Sequence, residues 1–209
     1  LSNDVCSLRP NEDKYTFSAV FELNDNAEIQ KEWFGRTVIH SDRRFTYEEA
    51  QERIETGTGD LAEETLVLDR LAKILRKERI NNGAITFDRS EVRFNLDENN
   101  EPIGVYFKMS KDSNHLIEEF MLLANRKVSE FISLKKNNEP SGKTFIYRIH
   151  DDPDPTKLES LKEFVSTFGY KMDLANTKKV AQSLNKLLSD VKGKGEENMI
   201  ETLAMRSMS

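Results

Sequence analysis

Cysteine, proline and glycine are all scarce in these 209 residues: one Cys, five Pro and nine Gly. A single thiol, Cys6, cannot close an internal disulfide, and a chain without such staples suits a reducing, cytoplasmic setting. No histidine stands near Cys6 in sequence, so a buried, inert thiol is expected there rather than a nucleophile. With so little glycine, no GxGxxG or GxxxxGKS/T loop exists to cradle a phosphate, and no GxSxG turn presents a serine. The three histidines, His40, His115 and His150, are far apart, without HExxH or other ligand spacing. No apolar run approaches the ~20 residues of a membrane span, and LSNDVCSLRP has no signal-peptide pattern, so no membrane partner is expected. A basic excess is missing too. The formal net charge is −6, which counts against a binder that grips nucleic acid by bulk phosphate neutralisation. Any such contact then rests on a local groove or on parts outside the chain.

What is present is 37% hydrophobic and 33% charged residues, enough for one sizeable core or a core with a small satellite. Tyr15, Phe17, Ala19, Phe21 and Leu23 alternate, which predicts a half-buried strand over 14–23. Asn24, Asp25 and Asn26 supply a turn, and 28–40 returns as a second strand. Thr46 and Glu49 have capping-box spacing and open a helix over 47–56. After a soft linker, 61–80 reads as a helix burying Leu61, Leu68, Leu71, Ala72 and Leu75 and ended by Asn81–Gly83. Strands are expected at 84–87, 91–96 and 103–109. A helix of 113–134 follows, capped by Ser113. A polar loop, 135–143, leads to a strand at 144–150 and to helices at 156–168, 177–190 and 196–208. The order predicts an α+β fold: an antiparallel or mixed β-sheet packed with α-helices over 1–134, and a mainly helical part over 144–209. The chain starts at Leu1 rather than Met and stops at Ser209 just after a helical run, which reads as an interior piece of a longer protein.

Few residues stand out chemically. His150 beside Asp151, Asp152 and Asp154 has metal-ligating types, but Pro153 and Pro155 interrupt the run, and a solvated turn is the favoured reading. Glu118 and Asn125 sit seven apart on the border of the apolar face of the 113–134 helix. A carboxylate there can accept a ribose hydroxyl; paired boundary residues are the plainer account. Phe87 is either one more core aromatic or a flat face for base stacking, worth roughly 1–3 kcal/mol per base. Tyr47, in the first turn of its helix, suits packing or ligand contact equally.

Six stretches, in order along the chain, resemble the catalytic domain of the ribonuclease II/ribonuclease R family (the RNB domain), closer to ribonuclease R. They are LSNDVCSLRPNEDK (1–14), RFTYEEA (44–50), GAITFD (83–88), HLIEEFMLLAN (115–125), FIYRIHDDPD (145–154) and ETLAMRSMS (201–209). The resemblance implies a processive, metal-dependent exoribonuclease that hydrolyses single-stranded RNA from its 3′ end to nucleoside 5′-monophosphates. It places Phe87 in the clamp on the terminal bases, and Tyr47 and Glu118 in the channel near the ribose, where the 2′-hydroxyl separates RNA from DNA. It also places the family's Mg²⁺-holding aspartates upstream of Leu1 and its catalytic arginine downstream of Ser209. On that account this chain carries no catalytic residue, binds no Mg²⁺ itself and has no nuclease activity alone. The alternative is a non-catalytic RNA-binding or scaffold protein of the same fold. A protein-interaction module using the 61–80 helix is a third, weaker reading.

Overall fold

Alternation at the start of the chain produces a long hairpin. β1 (Asp13–Leu23) pairs antiparallel with β2 (Ile29–His40). Asn24 closes the turn: its Oδ1 accepts the backbone N–H groups of Asn26 at 3.0 Å and Glu28 at 2.9 Å, the local bonding that makes Asn a turn residue. The remaining elements are α1 (Tyr47–Thr56), α2 (Ala62–Asn81), β3 (Glu91–Leu96), β4 (Pro102–Lys108), α3 (Asp112–Ser133), α4 (Pro155–Ser166), α5 (Thr177–Val191) and α6 (Glu197–Ser207). The structure is a computed structural model and describes residues 5–87, 91–135, 137–149 and 152–208. It has the expected α+β character, with two separate two-stranded antiparallel sheets, β1–β2 and β3–β4. Among the described residues no helix is long and apolar enough to cross a membrane. The chain divides into two units: Leu1–Arg76 with Ser110–Phe145, and Lys77–Met109 with Ile146–Ser209.

In the first unit, one face of the hairpin packs at one end only. Phe21 meets Phe34 edge-on at 5.9 Å, and Phe34 lies 4.7 Å from Phe131 of α3. Further along the same face, Tyr15 is 93% and Phe17 78% exposed. The expected burial of the whole face therefore fails beyond the reach of Phe131. Cys6 is also exposed rather than buried, because it lies in a turn ahead of β1.

Helix α2 buries only part of the face its leucines mark: Leu71 and Ala72 lie inside and Leu75 is half-buried. Ala62, Thr65, Asp69, Leu71 and Ala72 are buried, while Leu61, Leu66, Val67 and Leu68 are exposed. Buried Asp69 is tolerable because Lys73, one turn on, meets it at 2.7 Å and reaches Asp112 of α3 at 2.8 Å. Those two carboxylates, Asp112 first, raise the Lys73 pKa. α3 likewise buries Ser113, Leu116, Glu119 and Leu123 and leaves Ile117, Met121 and Phe131 exposed. Ser113 is not its cap. The cap is Lys111, whose N–H donates to Asn114 Oδ1 at 3.0 Å. The Ser113 N–H instead donates to Gln51 Oε1 of α1 at 3.0 Å, clasping α1 to the first turn of α3.

The second unit has an apolar core. Along α5, Val180, Leu184, Leu187, Leu188 and Val191 repeat at helical spacing and are all buried. They meet Leu161 and Val165 of α4 and Ile200 and Ala204 of α6. Two expected strands are absent. Among the described residues, neither 84–87 nor 144–149 forms a ladder; in the latter, Ile146 and Ile149 point into solvent. The last residue of that second segment, His150, lies outside the described residues.

Leu184 is fully buried, so Leu184→Ala should destabilise the chain by about 2–5 kcal/mol, whereas Leu68→Ala on exposed α2 should cost under about 1 kcal/mol. Urea unfolding followed by circular dichroism measures both, and equal losses would contradict the burial pattern.

Candidate functional site

Tyr47 is the first residue of α1, and its position depends on how that helix begins. Thr46 Oγ1 accepts the Glu49 N–H at 3.1 Å, and Glu49 Oε2 accepts the Thr46 N–H at 2.8 Å. This reciprocal cap satisfies two orphan donors. Arg43 then holds the other Glu49 oxygen at 2.8 Å and Asp60 at 2.9 Å. Arg53 joins Asp60 from α1 itself. The Arg43 and Arg53 guanidinium groups lie 4.7 Å and 4.6 Å from the centre of the Phe45 ring. Tyr47 therefore projects, 43% exposed, from a helix start locked by two arginines.

Glu118 lies on α3, the helix that α1 is clasped to through Gln51. Its side chain is 45% exposed. Arg76 of α2 approaches it at 3.4 Å and the adjacent Glu119 at 3.6 Å. Glu119 is only 3% exposed, so one guanidinium serves an inward and an outward carboxylate at once. Beside it, Asp69, Lys73, Arg76, Asp112 and His115 line a cavity of about 90 Å³. Asn125 is exposed two turns along the same helix.

Phe87 belongs to the second unit. It is half-buried and packs on the core built by α4, α5 and α6. Tyr47 and Glu118 are thus on neighbouring helices of one unit, and Phe87 is on the other unit. Sequence reasoning missed Arg76 as the partner of Glu118, since it lies 42 residues away and resembled one more charge in a basic last turn. It also missed Gln51, a polar residue in an amphipathic helix with no local mark of its role.

Among the described residues, no group of three or more His, Cys, Asp or Glu side chains is placed to hold a metal ion. A Mg²⁺ site needs several convergent oxygen ligands, so the described residues do not fit one. His150 and Asp151, named above for their ligating types, lie outside them. Asp154 instead caps α4, its Oδ1 accepting the Thr156 N–H at 2.8 Å.

A family model for the RNB domain matches residues 1–209. The chain is similar to the exosome complex exonuclease RRP44 of Mus musculus, 38% identical over 189 residues, covering 89% of this chain and 19% of that protein. It is also similar to ribonuclease R of Aquifex aeolicus, 31% identical over 215 residues, covering 100% of this chain and 30% of that protein. The chain therefore spans between about a fifth and a third of these relatives' length. Among solved structures, Mycoplasma genitalium RNase R in complex with double-stranded RNA superposes with a TM-score of 0.82 at 23% identity, over 99% of this chain and 36% of that one. Yeast Ssd1, a pseudonuclease, superposes at 0.68 and 20% identity, over 97% of this chain and 24% of that one. At these identities the two structures establish the fold alone.

The helix start that carries Tyr47 has a titration signature. The pKa of Glu49 is lowered first by the Thr46 backbone bond and then by Arg43, and that of Asp60 by Arg53 and then Arg43. Their stabilising effect is complete above the ordinary carboxylate range, about pH 4, and is lost as pH falls through the lowered folded-state values. Thr46→Ala should cost about 1 kcal/mol at neutral pH. In melts taken across the acid range, Glu49→Gln should flatten the fall in stability; an unchanged slope would exclude Glu49 from it.

Proposed function

Since the chain belongs to the RNB-domain family, we propose that it forms part of the RNA channel of a longer 3′-to-5′ exoribonuclease, one that hydrolyses single-stranded RNA to nucleoside 5′-monophosphates. The match across all of residues 1–209 carries this reading. The small share of each relative that the chain spans supports its being one piece of a larger enzyme. In this assignment Phe87 stacks on a base near the 3′ end, and its half-buried ring leaves part of its surface for that. Tyr47 and Glu118 read the ribose 2′-hydroxyl, the phenol and the carboxylate each able to accept its proton. Arg76 keeps the Glu118 carboxylate on the solvent side of the seam between α2 and α3. The Mg²⁺ of the longer protein, its metal-holding aspartates and its catalytic arginine are assigned to residues outside this chain. A cytoplasmic setting belongs to the same proposal, supported by the single cysteine.

One observation favours a second reading. Yeast Ssd1 has this fold and is a pseudonuclease, so a protein that is not a nuclease can be built on the same frame, which supports a non-catalytic RNA-binding or scaffold reading. Carboxylates clustered in the longer protein's preceding sequence would favour the nuclease, and their absence the scaffold, because a metal site needs convergent oxygen ligands.

The purified 209-residue chain should leave single-stranded RNA intact in the presence of Mg²⁺. Progressive 3′ trimming, seen on a denaturing gel, would place the chemistry within this chain and defeat the assignment. In the longer protein, Glu118→Gln should reduce the preference for RNA over the matching DNA by about tenfold, the worth of one hydrogen bond to a charged acceptor. Competition binding measures this, and an unchanged ratio would return Glu118 to a purely structural role.

A further inference from the structure

The stretch 84–87 has strand-like residues and no strand partner, yet its backbone is held. Gly83, at φ +103°, turns the chain off the end of α2, and the Ala84 N–H donates to the Arg79 carbonyl at 3.1 Å. From there a single side chain takes over. Asn185, in the middle of α5, accepts the Thr86 N–H on its Oδ1 at 3.0 Å and donates from its Nδ2 to the Ala84 carbonyl at 2.8 Å. These groups flank Ile85. They are the carbonyl before it and the N–H after it, the pair that one residue of a parallel neighbouring strand would engage. The Asn185 amide, with one donor and one acceptor in a plane, stands in for that strand. It is well anchored, because Leu184 beside it is fully buried and Ala181 and Leu188 on the adjoining turns are buried too.

The consequence falls on Phe87. Ile85 and Phe87 both pack on the core that α5 helps to build. With the backbone fixed on either side of Ile85, the setting of the Phe87 ring on that core is dictated by α5.

We propose that Asn185 is the positioning residue for Phe87, holding its ring where it stacks on RNA. This rests on the assignment of Phe87 as the base-stacking aromatic. Asparagine suits the task because it offers both bonding partners from one short side chain. Aspartate would keep the acceptor for Thr86 but set a carboxylate against the Ala84 carbonyl, and leucine would fill the space with neither.

The test is the length of the final product left by the longer enzyme on single-stranded RNA, compared among Phe87→Ala, Asn185→Leu, the double variant and Leu187→Ala. The expected result is that Asn185→Leu shifts the final length in the same direction as Phe87→Ala. The double variant should match Phe87→Ala alone, because the effect of Asn185 runs through that ring. Leu187→Ala, which weakens the same core but keeps the Asn185 amide and its two bonds, should leave the length as in the wild type. If Phe87→Ala shifts the product and Asn185→Leu does not, the role of Asn185 is overturned and that of Phe87 stands. If Phe87→Ala gives wild-type product, both fall. Additive shifts in the double variant, or an equal shift in Leu187→Ala, would reduce Asn185 to general core support and overturn the proposal. Should Asn185→Leu fail to fold, Asn185→Ala in the 209-residue chain, which removes the acceptor for Thr86 without adding bulk, carries the question. Exchange of the Thr86 amide with solvent should rise by about tenfold or more while the Leu184 amide stays protected, and unchanged Thr86 protection overturns the proposal.

Discussion

Two buried carboxylates, Asp69 and Glu119, set the terms on which α2 and α3 pack. A charge taken out of water without a partner costs several kcal/mol, so each helix must bring its acid to a cation. Lys73 meets Asp69 and Asp112, and Arg76 meets Glu118 and Glu119. These contacts form in one register only. A one-residue rotation of α2 would shift Lys73 from Asp112 and Arg76 from Glu118 and Glu119, giving up ion pairs that join the two helices. The exposed leucines of α2 are therefore the counterpart of this ionic seam. The seam also explains the setting of Glu118: next in sequence to a carboxylate that must be neutralised, it shares the cation that does so.

The second unit solves its problem with the opposite materials. Its core is aliphatic, centred on Leu184, Leu187, Val191, Val165 and Ile200, and the Asn185 amide is a specific polar device beside it. An unpaired backbone group near such a core costs about 1–3 kcal/mol, and two such groups flank Ile85. Meeting both from a helix side chain lets a short segment lie on the core without a sheet.

Hairpins and helices were legible in the sequence because their signals are local. The alternation over 14–23, the Asn24–Asn26 turn, the Thr46–Glu49 cap and the Gly83 stop all act within a few residues, and each is where its pattern placed it. What escaped is set by partners far away in the chain. The buried face of α2 includes Thr65 and Asp69 beside the expected Leu71 and Ala72, and Arg76 reaches across to α3, so hydrophobic periodicity marked that face only in part. Ser113 has the chemistry of a cap, but Asn114 supplies the bond and Gln51 claims the Ser113 N–H. The β-propensity of 84–87 is real, and the strand is missing because Asn185, 99 residues beyond Thr86 and 101 beyond Ala84, takes the place of a ladder. Tyr15 and Phe17 alternate as a buried face does, yet alternation says nothing of how far a covering helix reaches. Glu118, Tyr47 and Phe87 were singled out by resemblance; residue type alone left packing open for all three and made a paired boundary residue the plainer account of Glu118.

That one frame superposes on both a ribonuclease and a pseudonuclease bears on what the proposed contacts can contribute. Catalysis requires interactions that strengthen in the transition state, whereas contacts equal in the ground and transition states set affinity and selection alone. The proposed stacking on Phe87 and the proposed acceptance of a 2′-hydroxyl by Glu118 would act on groups that do not change bonding when a phosphodiester is cut. On the proposed reading they serve a nuclease by holding the strand in register. They would serve a non-cleaving relative equally, by choosing RNA over DNA. The described residues carry an ionic seam that presents one carboxylate and a core that carries one aromatic ring, and neither arrangement depends on a metal. On the proposed reading, a frame of this kind would keep its grip on RNA whether or not carboxylates elsewhere in the protein supply the chemistry.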